Sequence, residues 1–377
     1  MPKKRGEDRT TTEAKHLKRF AKRHPVFRTI LDCREKKTAI SRYIYQVNAE
    51  GHVTTQYGFH PSTWRKSSRN DNLQNIPIRN HELAEAIRGT MVASPGHVLV
   101  EADYEGIEAV IVGVLAGDPS YIRICKASLH GYMAARRMGT PIDPNLPFAE
   151  LRRQCKAIKK NFPKEYDDAK RGNHGVNYLL SPYGLVDEHP ETFPTQKAAK
   201  DYIELYFSEF APIRRWHQNV LRLASRQTYL DNHFGVRHYF YNVLNWDPTT
   251  RDYTKLGDDA KRAVAFIPQS DGSCIQNADL IQLAADPIIE PLLRLVIHDS
   301  KVLHVPLELV DYVCGQLHQI MSKPRVELGG EAIGVEIAIG TDLRKSNMDT
   351  WHPPTSGLTP APEVDRVGGN GHVTTGK

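Results

Sequence analysis

His97-Val98-Leu99-Val100-Glu101-Ala102-Asp103-Tyr104-Glu105-Gly106-Ile107-Glu108 is the stretch on which the reading of the fold turns. Its first half is short and Val/Leu-rich, the pattern of a buried strand. Beyond the acidic turn, Ile107, Val110, Ile111, Val114 and Leu115 recur at helical spacing. Strand, turn and helix together set Asp103 at the end of a strand. A second aspartate stands in a similar place: residues 292–305 alternate as a hairpin whose turn is His298-Asp299-Ser300. If the two strands are neighbours in one sheet, both carboxylates converge at its end. Two-metal phosphoryl transfer needs such anionic oxygens, bridging ions roughly 3.5–4 Å apart. Acidic turns are common on any surface, so spacing alone does not define a site.

Working outward, the 377 residues can bury a substantial core, and 40% hydrophobic with 25% charged residues is ordinary globular composition. The longest apolar stretch, 98–115, is interrupted by Glu101, Asp103, Glu105 and Glu108 and cannot span a bilayer. No secretory segment opens the chain, so an intracellular, cytoplasmic setting without membrane association is expected. The five cysteines, Cys33, Cys125, Cys155, Cys274 and Cys314, form no C-x-x-C pair and read as reduced, buried thiols rather than a zinc ribbon or a disulfide framework. Residues 1–27 hold nine Lys/Arg against three Asp/Glu, an excess as large as the net +6 of the whole chain. Such an arm suits phosphate contact by counterion release, and it equally suits a solvated helix.

Residues 12–32 read as helix, 37–60 as a hairpin broken by Asn48 and Gly51, and 61–79 as polar loop. Residues 119–230 are rich in helical patterns and in Lys/Arg, with Pro163 and Pro182 as boundaries. Residues 229–243 are aromatic and strand-like, and 261–289 helical. Pro306 opens a helix with Leu309, Val310, Val313, Leu317, Ile320 and Met321 on one face. The end of the chain, 353–377, is rich in Pro, Gly and Thr and reads as disordered.

The words around the two aspartates carry a resemblance. Thr63-Trp64-Arg65-Lys66-Ser67-Ser68 followed by Asn72-Leu73-Gln74-Asn75-Ile76-Pro77 resembles the T-G-R-L-S-S…N-L-Q-N-I-P strip of family A DNA polymerases, the bacterial polymerase I group and its phage relatives. Asp103-Tyr104-Glu105-Gly106-Ile107-Glu108 is similar to their motif A, D-Y-S-Q-I-E, and Ile297-His298-Asp299-Ser300 to motif C, V-H-D-E. These words stand in the family's order, and the similarity runs from about residue 30 to Trp351.

Lys170, His174 and Tyr178 are spaced i, i+4, i+8 and share one helical face. In the motif B pattern R-x-x-x-K-x-x-x-F-G-x-x-Y-G the resemblance makes them the phosphate-binding lysine, the group on the nucleotide sugar and the tyrosine at the insertion site. Tyr166 stands where the pattern has arginine, His174 where it has an aromatic and Leu179 where glycine follows the tyrosine. Arg171 and Lys164 are candidates to replace the arginine, although neither lies on the same face. By the same resemblance His130, in Leu129-His130-Gly131, contacts the nucleotide phosphates, and Glu108 packs under the sugar. Arg65, Gln74, Asn75 and Gln269 meet DNA, Arg65 and Gln269 in the minor groove, where all correct base pairs present the same acceptors. His298 lies beside the primer terminus. Ser300 replaces an acidic residue, which leaves Asp103, Asp299 and the Tyr104 carbonyl as the expected ligands of two magnesium ions.

The resemblance thus implies an α+β right-hand polymerase with an antiparallel palm sheet and a helical fingers insertion. Its parts would be a basic arm (1–27), a first palm segment (28–118), fingers (119–230), a second palm segment (231–352) and a tail (353–377). The implied partners are primer-template DNA and dNTPs. Two alternatives stay open: a single-subunit RNA polymerase, against which Glu108 and the 74–77 strip argue, and a replication subunit that binds DNA with weakened catalysis. Only 64 residues precede Arg65. A full thumb would not fit there, so a distributive enzyme that borrows a separate thumb-bearing or processivity polypeptide, or that is part of a longer polymerase, is expected.

Overall fold

The computed structural model describes residues 12–354 apart from 15, 16, 18, 19, 22, 23, 45, 46, 60, 71 and 77–80. Much of the basic arm expected over 1–27, Pro77 of the Asn72–Pro77 word, and the tail expected over 353–377 beyond its first two residues lie outside the described residues.

The helix expected over 12–32 does not run through. His24 is extended (φ −137°, ψ 105°) because the residue before a proline is disfavoured in helical geometry, and a new helix starts at Pro25 and spans Pro25–Ala39. It continues as a π turn, Ile40–Ile44, so the hairpin expected over 37–60 is not formed. Straight-chain helix formers such as Arg34, Glu35, Lys36 and Lys37 carry the helix past the predicted break. What remains is a turn in which Asn48 Oδ1 accepts from the amides of Glu50 (3.0 Å) and His52 (2.8 Å). The strands here are β1 (Gln56–Gly58) and β2 (Ser67–Arg69), paired antiparallel, with a 3-10 turn over Leu73–Asn75, so 61–79 is not all loop.

β3 (His97–Tyr104) is the centre of the molecule. The small antiparallel pairs β4 (Tyr229–Asp231) with β5 (Arg237–Tyr239), and β6 (Leu244–Asp247) with β7 (Asp252–Leu256), follow the helical region. The chain then returns through the Ala260–Ala284 helix to β8 (Leu293–Ile297), β9 (Ser300–Pro306), β10 (Val335–Gly340) and β11 (Met348–Trp351). The main sheet has the order β11-β10-β3-β9-β8 and every neighbouring pair in it is antiparallel.

Burial on both faces explains why Val98, Leu99 and Val100 of β3 read as an apolar run. Val98, Val100, Ala102 and Tyr104 enter the main core shared with the long helices, while Leu99 faces a second core with Ile297, Val302, Leu73 and Ile76. Each fully buried Val or Leu contributes about 1.5–3 kcal/mol. Glu101 and Asp103 alternate with Leu99 on that second face. The strip containing Leu73 and Ile76 is therefore clamped to the same side of the sheet as Asp103.

Between β3 and β4 the chain is helical: Pro119–Arg137, Phe148–Asn161, Pro163–Asn177, Pro182–Glu188, Gln196–Glu209 and Ala211–Gln227 follow Ile107–Ala116. Their starts are written in the sequence. Asp118, Ser181 and Thr195 accept the amides of Tyr121, Gly184 and Ala198 at 3.0–3.1 Å, and Pro119, Pro163 and Pro182 sit in first turns. The helix expected from Pro306 begins one step later, as a 3-10 turn (Leu307–Leu309) leading into Val310–Met321. All five cysteines are free, as expected, but Cys33 is exposed and Cys274 half-buried. No helix among the described residues is long and apolar enough to cross a membrane.

Candidate active site

Sheet register brings the two aspartates together. Asp103 pairs with Ser300 across β3 and β9, and the pairing of Ile297 with Ser300 leaves His298-Asp299 as a two-residue hairpin tip. Ser300 opens β9 rather than belonging to the turn. His298 takes φ 50°, the left-handed region that tight hairpins demand. Asp299 thus stands one residue before the partner of Asp103. Solvent reaches the Asp103 carboxylate, yet protein surrounds it. Desolvation first, then the like charges of Asp299 and Glu101, push its carboxyl up to about 7, with Lys345 opposing. Glu336 on β10 is registered opposite Asp103 from the other side.

The donor set at the sheet edge has the chemistry of a divalent-cation site. Hard oxygen ligands held close despite mutual repulsion suit Mg2+, which takes one or two carboxylates and completes its shell with water or substrate phosphate. Gln276 Nε2 donates to Asp299 Oδ1 (2.8 Å) and leaves its other oxygen available. The Tyr104 carbonyl accepts from the Gly106 amide (3.0 Å) and retains a lone pair. Ser300 is buried, and its Oγ donates to the Ile297 carbonyl (3.0 Å), so it serves the hairpin. No group of three or more His, Cys, Asp or Glu arranged to hold a metal occurs among the described residues, so the fit rests on two carboxylates.

The second wall is the Pro163–Asn177 helix. Lys170 and His174 lie exposed on it, and Tyr178 caps its end, its ring centroid 4.9 Å from that of His174. Tyr178 donates its hydroxyl to the Glu108 carboxylate, which is ion-paired with Arg65. Desolvation pushes the Tyr178 hydroxyl up to about 12; Arg65 and a hydrogen bond with Gln269 oppose that, and Asp299 adds to it. Arg65, Glu108, Tyr178 and Gln269 therefore converge beside Asp299.

Neutral hydrogen bonds hold this helix from behind. Asn177 donates to Tyr121 (3.1 Å) and accepts from Tyr206 (2.7 Å), while its carbonyl meets His217 Nε2 (3.1 Å). Leaving one such buried partner unsatisfied costs about 1–3 kcal/mol. One turn earlier, Tyr202 donates to Asn173 Oδ1 (2.6 Å), which orients the Asn173 amide to donate to His130 Nδ1 (3.0 Å). That sets the His130 proton on Nε2. Desolvation, then Lys170, His174 and Lys159, push His130 down to about 3, so the ring is neutral.

Some expected residues are not gathered here. Arg171 bonds Asp168 Oδ1 (3.0 Å) and Thr192 Oγ1 (3.3 Å), and Lys164 bonds Asp168 Oδ2 (2.8 Å). Both cations are paired with one buried carboxylate away from the Lys170 face. Gln74 is buried under the second core while Asn75 is exposed, and His298 is exposed at the hairpin tip. The sequence reading missed Gln276, which is bonded to Asp299, and Glu336, which strand alternation in β10 could have placed. It also missed a cavity of about 550 Å3 bounded by Glu105, Gly106, His130, Tyr166, Glu336 and the basic face of Phe148–Asn161.

A five-stranded antiparallel sheet with an acidic tip, interrupted by a helical insertion that presents a Lys-His-Tyr face, defines an α+β protein of the right-hand polymerase class. The sequence pattern of DNA polymerase family A matches residues 1–345, and the chain belongs to that family. It is 28% identical over 343 residues to the thermostable DNA polymerase I of Thermus aquaticus, covering 88% of this chain and 38% of that protein. With DNA polymerase I of Mycobacterium tuberculosis it shares 28% identity over 354 residues, 90% of this chain and 36% of the relative. The chain thus spans somewhat over a third of the length of these relatives. The fold also matches the POL domain of Pol1 from M. smegmatis, solved in complex with DNA primer-template and dNTP. The TM-score is 0.71 at 24% identity, covering 91% of this chain and 58% of the other.

Proposed function

We propose that the chain is a template-directed DNA polymerase that adds dNTPs to a primer 3′-hydroxyl. The observation that carries this reading is the pairing of Asp103 with Ser300, which sets two carboxylates at one sheet edge beside the convergent Arg65, Glu108, Tyr178 and Gln269. Asp103, Asp299 and the Tyr104 carbonyl would hold two Mg2+ ions. When bound, the ions make the primer hydroxyl a better nucleophile and neutralise charge on the leaving pyrophosphate.

The chain's own residues position and neutralise. Lys170 meets the polyphosphate as a point charge, and neutral His130 donates Nε2–H to a phosphate oxygen. His174 and Tyr178 form the surface on which sugar and base lie. Glu108, fixed between Arg65 and Tyr178, walls the space where a 2′-hydroxyl would stand. Arg65, Gln269, Asn75 and Gln74 line the DNA side, and His298 flanks the primer end. The test is extension of a labelled primer with Mg2+ and dNTPs, then with rNTPs. Extension with dNTPs alone is expected. Better extension with rNTPs would favour the RNA-polymerase alternative, and no extension despite primer-template binding would favour a subunit of weakened catalysis.

A further inference from the structure

The cavity beside Asp103 has a wall that the proposed mechanism does not use. On the Phe148–Asn161 helix, Leu151 and Cys155 face the core, while Arg152, Lys156, Lys159 and Lys160 project together from the adjoining face and line the cavity. The helix lies unusually close to its neighbour. A Cβ on Gly131 would stand 2.1 Å from the Cys155 carbonyl oxygen, so only glycine lets the basic helix dock against the Pro119–Arg137 helix that carries His130.

The cations differ in what they hold. Arg152 donates to both oxygens of Glu105 (2.9 and 2.7 Å), and Lys156 adds a third contact (2.8 Å). Glu105 lies over Gly334, where a Cβ would meet its carboxylate at 2.6 Å. Lys159 makes no ion pair among the described residues; its Nζ lies 6.0 Å from the centre of the Tyr166 ring, which also packs edge-on to His130 at 5.6 Å. Glu105 and Gly106 directly follow the Asp103-Tyr104 pair. The cavity is therefore a concave, cation-walled space, and an internal carboxylate occupies part of its charge.

We propose that Arg152, Lys156 and Lys159 form the seat for the polyphosphate of the incoming nucleotide, and that Glu105 occupies this seat until phosphate displaces it. This rests on the polymerase reading for the identity of the nucleotide, but not for the polyanion seat itself. Arginine and lysine held on one rigid helix face suit a multivalent phosphate, which brings more charge than the single carboxylate it replaces. The exchange also makes binding conditional: one phosphate group competes poorly with Glu105, whereas a triphosphate meets all three cations at once.

The experiment has two arms. In the first, calorimetry measures binding of inorganic tripolyphosphate to the chain without DNA or nucleotide. Lys159→Ala and the pair Arg152→Ala with Lys156→Ala are expected to weaken it about tenfold, and Glu105→Gln to tighten it several-fold. A gain of affinity cannot come from a damaged fold, and melting curves of each variant control for the losses. In the second arm, steady-state primer extension should show KM for dNTP raised about tenfold by the cation variants with kcat changed less than about threefold, and Arg152→Lys retaining more than Arg152→Ala. Tripolyphosphate binding that is absent, or indifferent to Glu105→Gln and Lys159→Ala, overturns the seat whether or not the chain extends primers. Unchanged KM with weakened primer-template affinity overturns it too, because the helix would then hold DNA backbone. A chain that binds tripolyphosphate as described but extends nothing leaves the seat standing and refutes the polymerase reading instead.

Discussion

The two walls of the cleft are built by opposite means. On the sheet side, register alone brings Asp103 to Asp299, with Glu101 and Glu336 nearby, so backbone pairing holds like charges together. On the helical side, neutral buried partners, Asn177 with Tyr121, Tyr206 and His217 and Asn173 with Tyr202, fix the helix, while the exposed Lys170 projects from it. One wall stores electrostatic repulsion that a cation relieves. The other is held by neutral hydrogen bonds and offers its charge outward. Sites of this kind trade stability for function on one side only.

Apart from the two aspartates, the largest effect is expected where the walls meet. Glu108 is held by Arg65 from the sheet side and by Tyr178 from the helix side. Glu108→Ala should narrow the preference for dNTP over rNTP by roughly a hundredfold. An unchanged ratio of kcat/KM values would detach Glu108 from sugar selection and make the pairing merely structural.

Neighbouring cations on the helical wall provide the next test. Lys170→Ala should raise KM for dNTP about tenfold, whereas Arg171→Ala should leave it within about twofold, because Arg171 is already spent on Asp168 and Thr192. Arg171→Ala should instead lower the melting temperature slightly. Equal KM effects at both positions would mean that the helix presents a diffuse charge rather than one face.

The smallest effects are in stability, and they run in opposite directions on the two walls. Burial holds His217 down to about 4, so its folded form prefers the neutral ring. Its contribution is complete above the unfolded value near 6.5 and is lost as pH falls towards 4. Asp103 is raised to about 7, so it favours the folded state less and less as pH rises from about 4 through 7. Without metal, Asp103→Asn should therefore melt above the parent protein at pH 8 and close to it at pH 4. A difference of the same size at both pH values would remove the repulsion from the account.

How much of this was legible beforehand follows from what each wall depends on. Strand, turn and helix around Asp103 could be read because β3 is buried on both faces and its apolar run has no other use. The hairpin at His298-Asp299 could be read from alternation. The family words placed Glu108, Tyr178 and Gln269, which the fold then gathered. The 37–60 hairpin failed because strong helix formers at 34–37 outweighed β-branched residues further on. The pairing of Arg171 could not be read, because no sequence pattern shows that Asp168 is buried and claims two cations. The basic face at 152, 156, 159 and 160 was present as an i, i+4, i+7, i+8 stripe, but its meaning depends on Glu105 and on the close approach at Gly131, which only tertiary packing reveals.

Whether Asp103 and Asp299 act as one cation-dependent pair is decided by single-turnover primer extension of Asp103→Asn and Asp299→Asn across a Mg2+ series, with primer-template affinity measured in parallel. Each variant is expected to lose about a thousandfold or more in rate at every Mg2+ concentration, while DNA affinity stays within about threefold. Substantial extension by either variant with ordinary Mg2+ dependence would contradict that pairing.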